Sequence, residues 1–170
     1  MKIVITGHTR GLGKALCDHF QSHTILGFSR SNGYDISNLN NRNRILNEIK
    51  DADMFINNAY NNFDDSQLAL LKEVYSLWEG TDKIIVNVSS RYTTGPEKYC
   101  KDKEQQDIFC KSKEFKLPYI INLKPGLIDT DRVKHIPGNR LSVKEVVDTL
   151  IFALSCSYKV HTITFGKNND

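Results

Sequence analysis

Two hydrophobic patterns alternate along the chain. Short apolar runs without polar alternation predict six buried strands, at residues 2–6, 24–29, 53–57, 83–89, 119–123 and 161–165. Five helices are predicted between them, at residues 11–21, 39–50, 66–78, 97–115 and 142–155, of which the fourth is mostly polar. Strands of this kind are buried on both faces, so the order predicts an α/β fold with one doubly wound parallel sheet.

Composition narrows the class of protein. The length of 170 residues, with 39% apolar, suits one globular domain spanning residues 1–170. The net charge of +3 is dispersed, which argues against a nucleic-acid partner. The longest apolar runs are too short to span a membrane, and the N-terminal run is too short for a signal peptide. The four cysteines lack zinc-ligand spacing, so we expect reduced thiols, no metal site and a cytoplasmic location.

The end of the first predicted strand carries a glycine-rich turn. Gly7, Gly11 and Gly13 follow Thr6 and open the first helix. Such a turn needs positive φ angles and lets backbone amides approach a pyrophosphate at a helix N-terminus, and Gly13 would let the helix pack closely on the strand. An ordinary glycine-rich turn is the alternative interpretation of this motif alone.

The second strand ends in Ser29 and Arg30. In a dinucleotide site this position meets the adenosine ribose, where an acidic residue would repel a 2′-phosphate. Ser29 is neutral, and Arg30 offers a planar fork that suits phosphate, as does Arg10 in the glycine turn. Two solvated surface charges are the alternative.

A candidate catalytic group follows the strand at residues 83–89. Ser90 lies at the end of this strand, and Tyr99 and Lys103 are four residues apart on the next helix, so they share one face. A lysine ammonium beside a phenol lowers the phenol pKa and makes it a usable general acid or base. Chance produces Y-x-x-x-K in many helices, so the position after a strand-end serine is what makes the motif specific.

These motifs resemble those of the short-chain dehydrogenase/reductase family over residues 2 to about 165. Besides the glycine turn and the serine, tyrosine and lysine, residues 57–59 match its N-N-A-G except that Tyr60 replaces the glycine, and residues 125–130 match P-G-x-I-x-T. Asp35 and Ile36 resemble the pair that contacts adenine. The resemblance implies a Rossmann-type fold, a small-molecule carbonyl or alcohol substrate and NAD(P)-dependent chemistry, and Arg10 and Arg30 match the members that prefer NADP(H).

The resemblance also assigns roles to residues. Tyr99 would supply the proton, Lys103 would lower its pKa and hold the nicotinamide ribose, and Ser90 would orient the carbonyl. Asn62, or its neighbour Asn61, would be the fourth catalytic residue unless both only cap the helix. The implied cofactor-binding residues are Thr6, Gly7, Thr9, Arg10, Gly11, Leu12, Gly13, Ser29, Arg30, Asp35, Ile36, Asn58, Ala59, Tyr99, Lys103, Pro125, Gly126, Ile128 and Thr130.

The chain is shorter than ordinary members of this family. Only residues 31–34 separate Arg30 from Asp35, whereas a parallel crossover needs about a dozen residues. The family's third strand is therefore expected to be vestigial or absent, which gives the order 2-1-4-5-6-7 in family numbering. Residues 131–140 leave little room for the usual substrate-covering lid, so we expect an open cleft.

Two other functions fit parts of the sequence. The short lid suggests a non-catalytic NADP(H)-binding regulatory or partner-binding module, although such a module has no need of the serine, tyrosine and lysine together. A nucleotide-sugar epimerase or dehydratase shares Y-x-x-x-K, but the glycine spacing and the lack of a substrate domain disfavour it. Substrate, reaction direction and formation of a homo-oligomer stay open.

Overall fold

A six-stranded parallel sheet forms the centre of the computed structural model, which describes residues 1–61, 64–92 and 96–167. The order across the sheet is β2-β1-β3-β4-β5-β6, and every neighbouring pair is parallel. The strands are β1 Lys2–Thr6, β2 Thr24–Phe28, β3 Met54–Asn57, β4 Ile84–Val88, β5 Tyr119–Pro125 and β6 Thr162–Phe165.

Five α-helices connect the strands. The first four begin where predicted and end one to three residues early, and the fifth begins one residue late and ends where predicted. They are α1 Gly11–His19, α2 Leu39–Glu48, α3 Ser66–Leu77, α4 Glu97–Ser112 and α5 Val143–Ser155. The start of α5 is sharply defined, because Ser142 and Glu145 form a reciprocal capping box. None of the helices in the described ranges has both the length and the apolar content needed to cross a membrane.

Helices cover both faces of the sheet. On one face, Leu16 of α1 and Leu150 of α5 pack against Ile5 and other strand residues. On the opposite face, α2, α3 and α4 bury apolar side chains against alternate strand residues such as Val4 and Phe55. Since successive strand residues point to opposite faces, this double burial explains the continuous apolar runs. The doubly wound, Rossmann-type α/β fold is thus confirmed.

The edge beside β2 lacks a further strand. After β2 the chain forms a short 3₁₀ turn, Arg30–Asn32, which Gly33 ends with φ of 85°. Ile36 then enters the core, and α2 begins at Leu39. Every residue of this connection is described and none is in a strand, so the expectation of a vestigial or absent third strand is confirmed.

Candidate active site

The glycine-rich turn lies at the carboxyl edge of the sheet, where β1 leads into α1. Gly7 and Gly11 have φ angles of +69° and +53°. A Cβ atom on Gly13 would overlap the carbonyl oxygen of Gly7, so only glycine lets the helix approach this closely. Thr9, Arg10 and Gly11 are exposed at the N-terminus of α1, while Leu12 turns into the core. A phosphate group fits such an exposed helix N-terminus.

Two residues after β3 brace this turn. Thr6 Oγ1 accepts hydrogen bonds from the backbone N–H groups of Asn58, at 3.0 Å, and Ala59, at 2.9 Å. The Asn58 side chain donates to the Thr6 carbonyl at 3.0 Å. The T-G and N-N-A motifs, about 50 residues apart in sequence, are therefore one hydrogen-bonded unit that fixes the turn.

The segment after β5 packs on the other side of the turn. Pro125 ends β5, the Gly126 N–H donates to the Phe165 carbonyl at 2.8 Å, and Ile128 pairs with Leu141. The Thr130 methyl group would lie 3.3 Å from a Cβ atom on Gly11. The structure thus brings P-G-x-I-x-T and the glycine turn into contact at the carboxyl edge of the sheet.

A compact polar turn closes the end of β2. Ser29 Oγ lies 2.7 Å from Ser31 Oγ and also donates to the Asn32 side chain, while Arg30 is exposed. The Asp35 carboxylate accepts from Ser37, and this hydrogen bond from the Ser37 backbone, helped by the Arg30 charge, lowers the pKa of Asp35. Adenine contact at Asp35 and Ile36 stays a prediction, with Ile36 largely buried in the core.

Ser90, Tyr99 and Lys103 converge beyond the end of β4. The Ser90 side chain lies close enough to the Tyr99 hydroxyl to affect its pKa, and the Lys103 Nζ lies 5.7 Å from the centre of the Tyr99 ring. Burial raises the pKa of Tyr99, while the Ser90 hydrogen bond and the nearby Arg132 charge lower it in part. In the chain alone, burial outweighs these effects, so the lowered Tyr99 pKa expected from the sequence is not observed.

The Lys103 ammonium group is enclosed by protein. Nζ donates to Gln67 Oε1 at 2.7 Å and to the Val88 carbonyl at 2.9 Å. Burial, reinforced by the Arg132 charge, lowers the pKa of Lys103 to about 7, although Asp107 and Asp102 act in the opposite direction. A lysine with such a pKa can change its charge near neutral pH.

Tyr60, the residue at the family's glycine position, lies against this group. Its ring is 4.7 Å from Lys103 Nζ, and its hydroxyl donates to Asp102 at 2.9 Å. The Arg132 guanidinium lies 5.2 Å from the centre of the same ring and donates to the Tyr60 carbonyl at 3.2 Å. Tyr60 therefore separates a buried cation from an exposed one.

The short segment at residues 131–140 folds onto itself. It begins with a 3₁₀ turn, Asp131–Val133, and the Arg140 guanidinium donates to the carbonyls of Val133, Lys134 and Ile136. Through Arg132 this segment also reaches Tyr60. This segment is thus a tight loop beside Tyr60.

Sequence reasoning missed Gln67 and Arg132 and treated Tyr60 only as a departure from a motif. The only signal for Gln67 in the sequence is an amide side chain in the first turn of a largely apolar helix. Asn62 lies outside the described residues. The Asn61 side chain donates to Asp64, which in turn accepts from the Ser66 N–H, so the hydrogen bond to the start of α3 comes from Asp64 and not from Asn61. The role of both asparagines stays a prediction.

Comparison with solved structures gives the fold a class: the chain has the fold of short-chain dehydrogenases/reductases. A short-chain dehydrogenase from Burkholderia cenocepacia J2315, in complex with NADP, matches with a TM-score of 0.77 and 18% identity over 96% of this chain and 88% of that one. The 3-alpha-hydroxysteroid dehydrogenase from Pseudomonas sp. B-0831, complexed with NADH, matches with a TM-score of 0.79 and 16% identity over 97% and 94%.

A short-chain dehydrogenase/reductase from Vibrio parahaemolyticus matches equally fully, with a TM-score of 0.76 and 17% identity over 98% of this chain and 100% of that one. Neither a scan against protein-family models nor a search of curated proteins finds a match to the sequence. At these identities the likeness establishes the fold. The first two proteins carry different dinucleotides, so the cofactor of this chain has to be argued from its own residues.

Proposed function

We propose that the chain is an NADPH-dependent oxidoreductase that interconverts a carbonyl compound and the corresponding alcohol. The observation that carries this proposal is the convergence of Ser90, Tyr99 and Lys103 at the carboxyl edge of the sheet. The glycine turn and Thr130 lie at the same edge and pack together. In open α/β sheets ligands bind at this edge, so a bound dinucleotide and the three side chains would share one cleft.

Each side chain has a defined task in the reduction. A bound nicotinamide dinucleotide would supply the hydride for the carbonyl carbon. Tyr99 gives its phenolic proton to the carbonyl oxygen, which forms the new O–H bond and leaves a phenolate. Ser90, which lies beside the Tyr99 hydroxyl, orients the same oxygen. In its protonated form, the buried Lys103 stabilises the phenolate that remains.

The residues around the turn suit a phosphorylated dinucleotide. The exposed N-terminus of α1 would receive the pyrophosphate, with Thr9, Arg10 and Gly11 beside it. Ser29 at the end of β2 leaves no carboxylate to repel a 2′-phosphate, and Arg30 is exposed next to it. This arrangement supports NADPH over NADH.

Turnover and binding measurements test the proposal. NADPH oxidation is followed with a panel of aldehydes, ketones and diketones, and NADPH binding is measured separately by calorimetry. Binding together with turnover of at least one carbonyl is the expected result. Binding without turnover of any panel member would instead support the regulatory module, and absence of binding would refute both functions.

A further inference from the structure

Gln67 lies at the centre of the buried polar groups behind the candidate catalytic residues. It is the second residue of α3, and only 1% of its surface is exposed. Its Nε2 donates to the carbonyls of Asn57, at 2.8 Å, and Val88, at 3.2 Å. Its Oε1 accepts from Lys103 at 2.7 Å and from Gln106 at 3.1 Å. Every hydrogen-bonding direction of this amide is therefore used.

These bonds define the position of the Lys103 ammonium group. Two fixed strand-end carbonyls hold the Gln67 amide, so its Oε1 is presented at one place. Lys103 Nζ is then held between this oxygen and the Val88 carbonyl, the last residue of β4 before the Ser89–Ser90 pair. The ammonium group cannot swing away without leaving buried polar atoms unpaired, which is costly.

The acceptor of the lysine is neutral, although carboxylates lie nearby. Asp102 accepts instead from Tyr60 and Lys98, and Asp107 accepts from Ser89 and pairs with Lys124. A carboxylate at the Gln67 position would hold Lys103 as a permanent cation, whereas an amide fixes its place without fixing its charge. The groups with ionisable or charged side chains around Lys103 are Tyr60, Tyr99, Asp102, Asp107 and Arg132.

We propose that Gln67 is a positioning residue, which holds the Lys103 ammonium group beside Tyr99 through a neutral side-chain oxygen. This inference rests on the proposed function, because it assigns Gln67 a part in the proton chemistry of Tyr99. The low pKa of Lys103, about 7, is the state that burial with neutral acceptors produces. Gln67 thereby links the ends of β3 and β4 to the reacting tyrosine.

Gln67→Met tests the role in catalysis, with Gln106→Met as the matched control. Gln106 is equally buried and belongs to the same network, but it donates to Gln67 and not to Lys103. With Gln106→Met, Gln67 keeps both bonds to backbone carbonyls, so Lys103 stays in place. We expect Gln67→Met to lower kcat about 10- to 100-fold with KM nearly unchanged, and Gln106→Met to stay within about threefold at a similar loss of thermal stability.

Gln67→Glu serves as the rescue variant. It restores an oxygen acceptor at the same reach, so kcat should recover at least partly relative to Gln67→Met. Its negative charge should also raise the pKa of Lys103 by about 1–3 units and move the pH profile of turnover accordingly. Equal losses of kcat for Gln67→Met and Gln106→Met, or full activity of a folded Gln67→Met, would overturn the positioning role.

A measurement on the cofactor-free protein separates this inference from the proposed function. The titration of Lys103 is followed by NMR with ¹³C-labelled lysine and assigned with Lys103→Arg. We expect a midpoint far below that of the other lysines, lowered further by Gln67→Met and unmoved by Gln106→Met. If no carbonyl is turned over but Lys103 responds in this way, the proposed function fails while Gln67 still positions the lysine. If Gln67→Met leaves the Lys103 titration midpoint unchanged, the positioning role is refuted.

Discussion

The rings of Tyr60 and Tyr99 meet edge to face, with their centres 5.3 Å apart and their planes at 83°. The Tyr60 hydroxyl is anchored on Asp102, so its ring is held in this contact. As a result the proposed proton donor packs against a second aromatic ring, and burial raises the pKa of Tyr99. A glycine at this position, as in the motif that the sequence resembles, has no side chain to make such a contact.

Replacing Tyr60 should therefore change the pH at which the protein works. Tyr60→Gly admits water beside Tyr99 and lowers the Tyr99 pKa, because it removes part of the burial that raises it. Carbonyl reduction needs a protonated Tyr99, so the alkaline limb of its pH profile should move to lower pH. Tyr60→Phe keeps the ring and should leave the limb in place. If the alkaline limb lies at the same pH in Tyr60→Gly and Tyr60→Phe, packing by the Tyr60 ring does not set the Tyr99 pKa.

Removal of the Tyr99 hydroxyl should abolish most turnover. Tyr99→Phe keeps the ring contact with Tyr60 but has no proton to give, and general acid–base assistance contributes roughly 10²–10⁴-fold. NADPH affinity by calorimetry should change little. As a control, Tyr75→Phe removes a phenol that donates to the Leu117 carbonyl far from the cleft, and its activity should be unchanged. Undiminished activity of Tyr99→Phe would exclude Tyr99 as proton donor.

The sequence pattern predicted those parts of the site whose residues are close together along the chain. Tyr99 and Lys103 lie on one helix, so a four-residue spacing was enough to place them on the same face. The strands and helices were likewise visible in the apolar pattern, and the loss of a strand after β2 followed from a connection too short to cross over. Within the described residues, the bounds of helices and strands differ from the predicted ones by up to three residues, and the two 3₁₀ turns were not predicted.

Contacts between distant segments could not be predicted in this way. Gln67 and Lys103 are 36 residues apart and meet only because α3 and α4 cover the same face of the sheet. Whether the Tyr99 pKa rises or falls also depends on how deeply the side chain is buried. The spacing of residues in the sequence does not give that depth. A lysine four residues away suggested a lowered pKa, yet its ammonium group is bonded to Gln67 and Val88, and burial determines the direction at Tyr99.

The buried Lys103 should make stability depend on pH. Its pKa is about 7 in the folded chain and 10.5 in an unfolded one, so between these values the unfolded state binds more protons. Stability should accordingly rise with pH over this window, by about 2 kcal/mol between pH 7 and pH 9. Lys103→Met should remove this dependence. Chemical denaturation of both proteins at pH 7 and pH 9 measures the difference, and parallel behaviour of the two would show that Lys103 is charged in the fold.

Cofactor preference should reside in Arg30. The exposed guanidinium follows the neutral Ser29, where a 2′-phosphate would lie, and a charge-assisted hydrogen bond contributes about 1.5–3 kcal/mol. Because about 1.4 kcal/mol is tenfold in affinity, Arg30→Ala should weaken NADPH binding roughly 10- to 100-fold and leave NADH binding almost unchanged.

Removing a positive charge elsewhere on the surface distinguishes the Arg30–phosphate contact from the effect of the protein's overall charge. Lys50 is exposed near the amino ends of the strands, away from the proposed cofactor site, and its carbonyl accepts from Lys83. Lys50→Ala therefore changes the net charge as much as Arg30→Ala does, but it should not change the preference for NADPH over NADH. Added salt should narrow the preference of the unsubstituted chain for NADPH over NADH, since exposed charges are screened.

Arg10 in the glycine turn would contact the same phosphate. The double variant Arg10→Ala/Arg30→Ala should therefore lose less NADPH binding free energy than the sum of the losses in the two single variants. Calorimetric titrations with NADPH and NADH decide the matter: equal affinities in the unsubstituted chain would mean that both arginines are only surface charges.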